Sequence, residues 1–160
     1  MKLSLHGAIV LATLMLPLFG TASRADDDTK ADLEKIQGSW EIAGHPTDPQ
    51  ARRVVKEIKG NDETLTFYGE GDAVLRQHRN SFKLTSQNGT PSGVRIWTYG
   101  QIEFTEGPQK GTKTPADFSG AYIYRVDADT IYEAQGMLDG DQQKGISPLI
   151  FSWKRVKKTD

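Results

Sequence analysis

The side chains capable of chemistry are thinly spread along this chain of 160 residues. Carboxylates are the most plentiful. Glu103 and Glu133 each fall in a strand-like run, and on neighbouring strands they would form an acid and base pair of the kind that hydrolases use. As solvent-facing strand residues they would carry no such role. Of the three histidines, His6 lies in the N-terminal segment, His45 in a loop next to Pro46, and His78 near a strand end beside Arg76 and Arg79. A metal ion needs several converging donors and is repelled by flanking guanidinium groups, so no metal site is expected. Serine chemistry lacks its sharp Gly-x-Ser-x-Gly turn, since Gly38-Ser39 runs directly into Trp40. The chain has no cysteine, which excludes disulfides, thiolate-bound metals, iron-sulfur clusters and a thiol nucleophile together. Asp139-Gly140-Asp141 lacks the later ligands of a calcium loop, and Asn88-Gly89-Thr90, formally a glycosylation sequon, reads as a hairpin turn. With Gly-rich phosphate motifs also absent, the expectation is a protein without a cofactor and without catalytic residues.

The aromatic side chains are the richer resource. Trp97, Tyr99, Tyr122, Tyr124, Tyr132, Phe151 and Trp153 would suit the walls of a pocket for an apolar or ring-shaped molecule. Equally, a small barrel interior is only just wide enough for side chains to fill it, and Phe67, Leu75, Phe82, Leu84, Ile96, Phe104, Phe151 and Trp153 are of the type that would do so. In that case Trp97 and Tyr99 could form an outer aromatic face that docks an envelope protein.

The elements that must position these residues are short strands. The segment 64–68 alternates and stops at Gly69-Glu70-Gly71-Asp72, then 73–78 and 81–85 follow as two runs, the second leading into Asn88-Gly89. Residues 94–104 form a long run in which Val94, Ile96, Thr98, Ile102 and Phe104 share one face, and Arg95, Trp97, Tyr99, Gln101 and Glu103 the other, with Gly100 marking a bulge or bend. Further runs at 118–126, 130–134 and 149–156 are separated by turn-rich connections. Residues 50–59 are ambiguous: Ala51, Val54, Val55 and Ile58 have helical spacing after Asp48-Pro49, while 54–58 also suits a strand. A helical turn leading into a strand is the favoured reading. Ahead of the strands, Thr29 with Asp32 can cap a short helix that Gly38 ends.

Composition and charge bound the remainder. The chain is 36% hydrophobic and 26% charged, enough for one core-forming domain, and its formal net charge of -1 gives no footprint for nucleic acid or an anionic membrane. Lys2 and His6 precede an apolar run over 8–18, and Ser23-Arg24-Ala25 offers a cleavage site, so residues 1–25 read as a signal peptide and 26–160 as the mature domain. The apolar run is too short to span a membrane. The expected compartment is periplasmic or extracellular.

Gly38-x-Trp40 on the first strand after a short helix, with Arg155 on the last strand, resembles the signature of lipocalins and the wider calycin group. A fuller match comprises residues 32–40, Glu106-Gly107-Pro108-Gln109-Lys110-Gly111, residues 122–131 and Trp153-Lys154-Arg155-Val156. It is similar to an exported lipocalin-like domain family common in planctomycete bacteria. The resemblance implies an all-β fold: a small antiparallel lipocalin-like barrel of eight or nine strands with a short N-terminal helix, in which the tryptophan plugs the closed end and the arginine lies across it. It implies no mechanism. Together these readings give an exported barrel that binds a small hydrophobic molecule, or alternatively an envelope structural or protein-interaction module with a packed, ligand-free interior.

Overall fold

The computed structural model describes residues 23–87, 94–138, 141 and 145–157. Residues 1–22, most of the segment 1–25 read as a signal peptide, Asn88-Gly89, read as a hairpin turn, and Asp139-Gly140 lie outside them. Among the described residues one α-helix, α1 (Ser23–Ile36), is followed by nine strands: β1 (Gly38–His45), β2 (Asp48–Lys59), β3 (Asp62–Tyr68), β4 (Val74–Gln87), β5 (Val94–Tyr99), β6 (Glu103–Glu106), β7 (Gly120–Val126), β8 (Thr130–Gln135) and β9 (Leu149–Arg155). All pairings between them are antiparallel. Sequence neighbours pair in an up-and-down order, and β9 returns to β1, closing eight strands into a barrel with β6 as an extra strand on β4. Closure removes sheet edges that would otherwise expose unpaired backbone groups. Among the described residues no helix is long and apolar enough to cross a membrane.

Several elements differ from the sequence-based expectation. The segment 50–59 has no helical turn; it is strand throughout, paired from Arg53 to Ile58 with β1 on one side and from Arg53 to Lys59 with β3 on the other. Its apparent helical spacing arises because a bulge near Ala43–His45 shifts the inward set from Ala51 to Val54, Lys56 and Ile58, all buried. The two runs at 73–78 and 81–85 are one strand, β4. The run 94–104 is broken after Tyr99 into β5 and β6, both on β4: Phe82 pairs with Tyr99, whereas Arg79 pairs with Glu103 and His78 with Phe104. The register therefore gains one residue across Gly100, and a one-residue shift exchanges the faces of a strand. Trp97 and Tyr99 consequently share the interior with Ile102 rather than opposing it. Helix α1 begins at Ser23, upstream of Thr29, which lies inside it.

One end of the barrel is sealed. Trp40 is fully buried, its indole N–H donates to the Ile36 carbonyl at 2.7 Å, and the Arg155 guanidinium lies 4.0 Å from its ring centroid. Arg155 also donates to the carbonyls of Gln37 at 2.9 Å, Lys35 at 2.5 Å and Ala128 at 3.3 Å. These are orphan carbonyls at and beyond the end of α1 and in the turn before β8, which the planar fork of arginine can serve at once. Gly38 turns the chain from helix to strand with φ of 107°, a conformation costly for other residues. Gln37 ties this corner to the β2–β3 turn by accepting from Gly60 N–H and donating to Gly60 C=O. Across the same end, buried Asp32 accepts from Arg95 and from the Tyr124 hydroxyl.

Candidate functional site: a cavity above a buried lysine

Inside the barrel the three tryptophans, Trp40, Trp97 and Trp153, are all at most 1% exposed. Trp97 stacks on Phe82 at 4.1 Å and on Tyr122 at 5.7 Å. Between Trp97 and Trp153 sits Lys56, itself 1% exposed, with its ammonium 5.0 Å and 4.5 Å from the two indole rings. A buried charge of this kind requires partners. Lys56 finds Glu133 in a short ion pair, Glu63 at 3.0 Å and the Tyr122 hydroxyl at 3.5 Å. β2, β3, β8 and β7 each contribute one of these four groups.

Above this floor is a cavity of about 230 Å³ toward the end of the barrel opposite α1. Its walls include Leu65, Phe67, Tyr99, Ile102, Leu149 and Phe151, and its polar groups include Glu63, Asn80, Glu133, His45, His78 and Arg76. The rings of Phe67 and Phe151 each lie 5.3 Å from His45. Arg76 is held by Asp48 at 2.7 Å and covers the Phe67 face at 3.7 Å. Asn80 donates to Glu63 at 3.1 Å, while its own carbonyl oxygen and the Nδ1 of His78 have no protein partner. Tyr99 packs against Gly120, where a side chain would meet the phenol ring at 2.3 Å, so glycine is what permits the ring to lie there.

The electrostatics follow from burial. Burial opposes the charge on Lys56, but Glu133 and then Glu63 outweigh it and hold its pKa above the ordinary value. Burial, reinforced by Glu63, raises Glu133 against the pull of Lys56. Burial and the two carboxylates raise Tyr122 well above the usual range. Burial lowers His45, and pushes His78 down to about 4, with Arg76, Lys56 and His45 acting in the same direction against Glu63. Both imidazoles are thus neutral at pH 7. Between about 6.5 and about 4 the unfolded chain binds a proton that folded His78 refuses, so stability should fall as pH drops through that window, by on the order of 2 kcal/mol. Urea denaturation at pH 7 and pH 4.5 measures this, and His78→Phe should flatten the slope; an unchanged slope in that variant would refute the assignment.

The candidate aromatics separate into three groups. Tyr99, Tyr122, Phe151 and Trp153 line the cavity. Trp97 is buried beneath it against Lys56, and Tyr124 lies toward the closed end on Asp32. Tyr132 is 37% exposed, with Arg125 over its ring at 5.5 Å. An outer aromatic face of Trp97 and Tyr99 is ruled out, because Trp97 is fully buried and Tyr99 lines the interior. Glu133 does not face solvent as a plain strand residue would; it is 2% exposed. Its neighbouring carboxylate is Glu63 across Lys56, whereas Glu103 pairs with Arg79 at 2.8 Å and Lys113 at 3.7 Å. Among the described residues no group of three or more His, Asp or Glu side chains is placed to hold a metal ion. Sequence reasoning missed Lys56, Glu63 and Asn80, and the available signal was the lysine at an inward position of the apolar segment Val54-Val55-Lys56-Glu57-Ile58.

Fold and site together define a closed eight-stranded antiparallel barrel, stoppered by a helix at one end and carrying an aromatic-walled cavity over a buried ionic cluster. No family model, no curated protein and no solved structure matches this chain.

Proposed function

We propose that this is an exported lipocalin-like protein, not an enzyme, whose barrel takes up a small, mainly apolar molecule. The observation that carries the reading is the 230 Å³ cavity, walled by Phe67, Tyr99, Leu149 and Phe151 and bearing the unpartnered Asn80 carbonyl oxygen. An apolar cavity of roughly 150 Å³ admits a benzene-sized molecule, so this one has room for a ring with a short polar substituent. The Trp40–Arg155 stack at the closed end supports the lipocalin-like part of the proposal. The two cavity carboxylates, Glu63 and Glu133, both face Lys56, which supports a binding role over hydrolysis. Cleavage after Ala25 belongs to the same proposal, and the mass of the chain recovered from outside the cytoplasm checks it.

Titration with 2-phenylethanol and indole, followed by tryptophan fluorescence, tests the binding role. Saturable one-to-one binding that is lost in the cavity-filling variant Leu149→Trp is the expected result. No saturable change with any small aromatic probe would overturn it.

A further inference from the structure

We infer that the polar end of the cavity selects a small organic amine, with the ammonium group donating to Glu133 and Asn80 while the apolar remainder sits against Phe151, Tyr99 and Leu149. The inference rests on the binding role proposed above and specifies the chemistry of the ligand.

Three observations carry it. The first is charge balance at the floor: one ammonium, Lys56, faces two carboxylates, Glu63 and Glu133, all of them at least 96% buried. A single cation cannot neutralise both, and burial together with the repulsion of Glu63 raises the pKa of Glu133, so a second cation entering beside Glu133 would favour the ionised pair and be held by it. The second is an acceptor without a donor. A carboxylate can only accept, so the Asn80 amide must turn its NH2 toward Glu63, as its 3.1 Å contact shows. That orientation leaves the Asn80 carbonyl oxygen unpaired in a residue 7% exposed that lines the cavity. Buried acceptors left unpaired are costly, and a donor-bearing ligand removes the cost.

The third observation is that the cations near the cavity are already engaged. Lys56 is held by both carboxylates, and Arg76 is held by Asp48 and the Phe67 face. His45 and His78 are uncharged at neutral pH. An anionic head group would therefore meet two carboxylates and no free cation. An ammonium would meet carboxylate, amide oxygen and the faces of Tyr122 and Trp153, surfaces that Lys56 shows to be compatible with a cation.

The test compares three probes of nearly equal size by isothermal titration calorimetry at pH 7.5: 2-phenylethylamine, 2-phenylethanol and 3-phenylpropionate. The amine is expected to bind at least about tenfold more tightly than the alcohol, and the carboxylate more weakly than either. In Glu133→Gln, where Lys56 and Glu63 are left as a balanced pair, the advantage of the amine over the alcohol should shrink to about threefold or less, with the alcohol little affected. Glu63→Gln makes the same test from the other strand, and melting curves show whether each variant is folded. If neither folds, the ranking of the three probes on the unaltered protein decides. Carboxylate binding equal to or tighter than amine binding overturns the inference, as does an amine advantage that survives in both variants. Alcohol binding without amine preference overturns the inference and leaves the binding role standing, whereas no binding by any probe overturns both.

Discussion

Lys56→Met should destabilise the folded protein by about 3–5 kcal/mol at pH 7.5. The substitution keeps the length and apolar stem of the side chain but leaves Glu63 and Glu133 buried without their cation, and breaking one side of a buried ionic group costs on that scale. The direction of its pH dependence distinguishes this from a packing defect. Without the ammonium, Glu133, whose pKa burial already raises, is held protonated more strongly in the folded chain than in the unfolded one. Groups whose folded pKa is raised stabilise most below their unfolded pKa and lose that contribution as pH rises. The variant should therefore recover much of its loss between pH 7.5 and pH 5, and adding Glu133→Gln should recover part of it at pH 7.5. Urea denaturation of the single and double variants measures both effects. A loss under about 1 kcal/mol, or one that is independent of pH, would show that the ionic cluster does not set the stability of the interior.

Trp40→Ala should cost a similar amount, about 3–5 kcal/mol, the usual scale for deleting a fully buried large aromatic. More than packing is removed. The Ile36 carbonyl loses its 2.7 Å donor, and Arg155 loses the ring on which it lies, so the corner joining α1 to the barrel comes apart. Trp40→Phe retains a ring but no N–H and should fall well short of the alanine cost. Hydrogen exchange adds spatial detail, because protection in α1 should drop more than protection in β7 and β8. If the two substitutions cost the same, the indole hydrogen bond contributes nothing measurable; if α1 retains its protection in Trp40→Ala, the corner is held by Arg155 and Gln37 alone.

The parts of this molecule that were legible in the sequence are those where local chemistry and global fold agree. Alternating runs between Gly, Pro, Asn and Asp turns correctly indicated an all-β chain, and Gly38-x-Trp40 and Arg155 come together at the stoppered end, where Trp40 and Arg155 are direct cross-strand partners. What was illegible involves polar residues facing inward. Lys56 and Asn80 interrupt the apolar alternation of β2 and β4, and a charge in a strand ordinarily signals the solvent face. The result was a false break in β4 and an unrecognised inward lysine in β2, whose helical reading came from the spacing that the bulge creates. The burial of Glu63 and Glu133 was hidden for the same reason, since burying either is tolerable only because Lys56 is buried with it, and that pairing spans 77 residues in the case of Glu133. The extra residue at Gly100 was visible as a bend, but its consequence, the exchange of faces that brings Tyr99 and Ile102 together, depends on the register with β4.

The ladder that completes the cylinder, β1 against β9, consists of Trp40 opposite Arg155 and Glu41 opposite Lys154, both next to the stoppered end. From Ile42 to His45 the first strand continues toward the cavity with rungs only to β2. The wall is thus a zip fastened at its bottom teeth. Above those teeth β1 and β9 share no rung, and the His45 and Phe151 rings, 5.3 Å apart, span the seam in place of backbone hydrogen bonds.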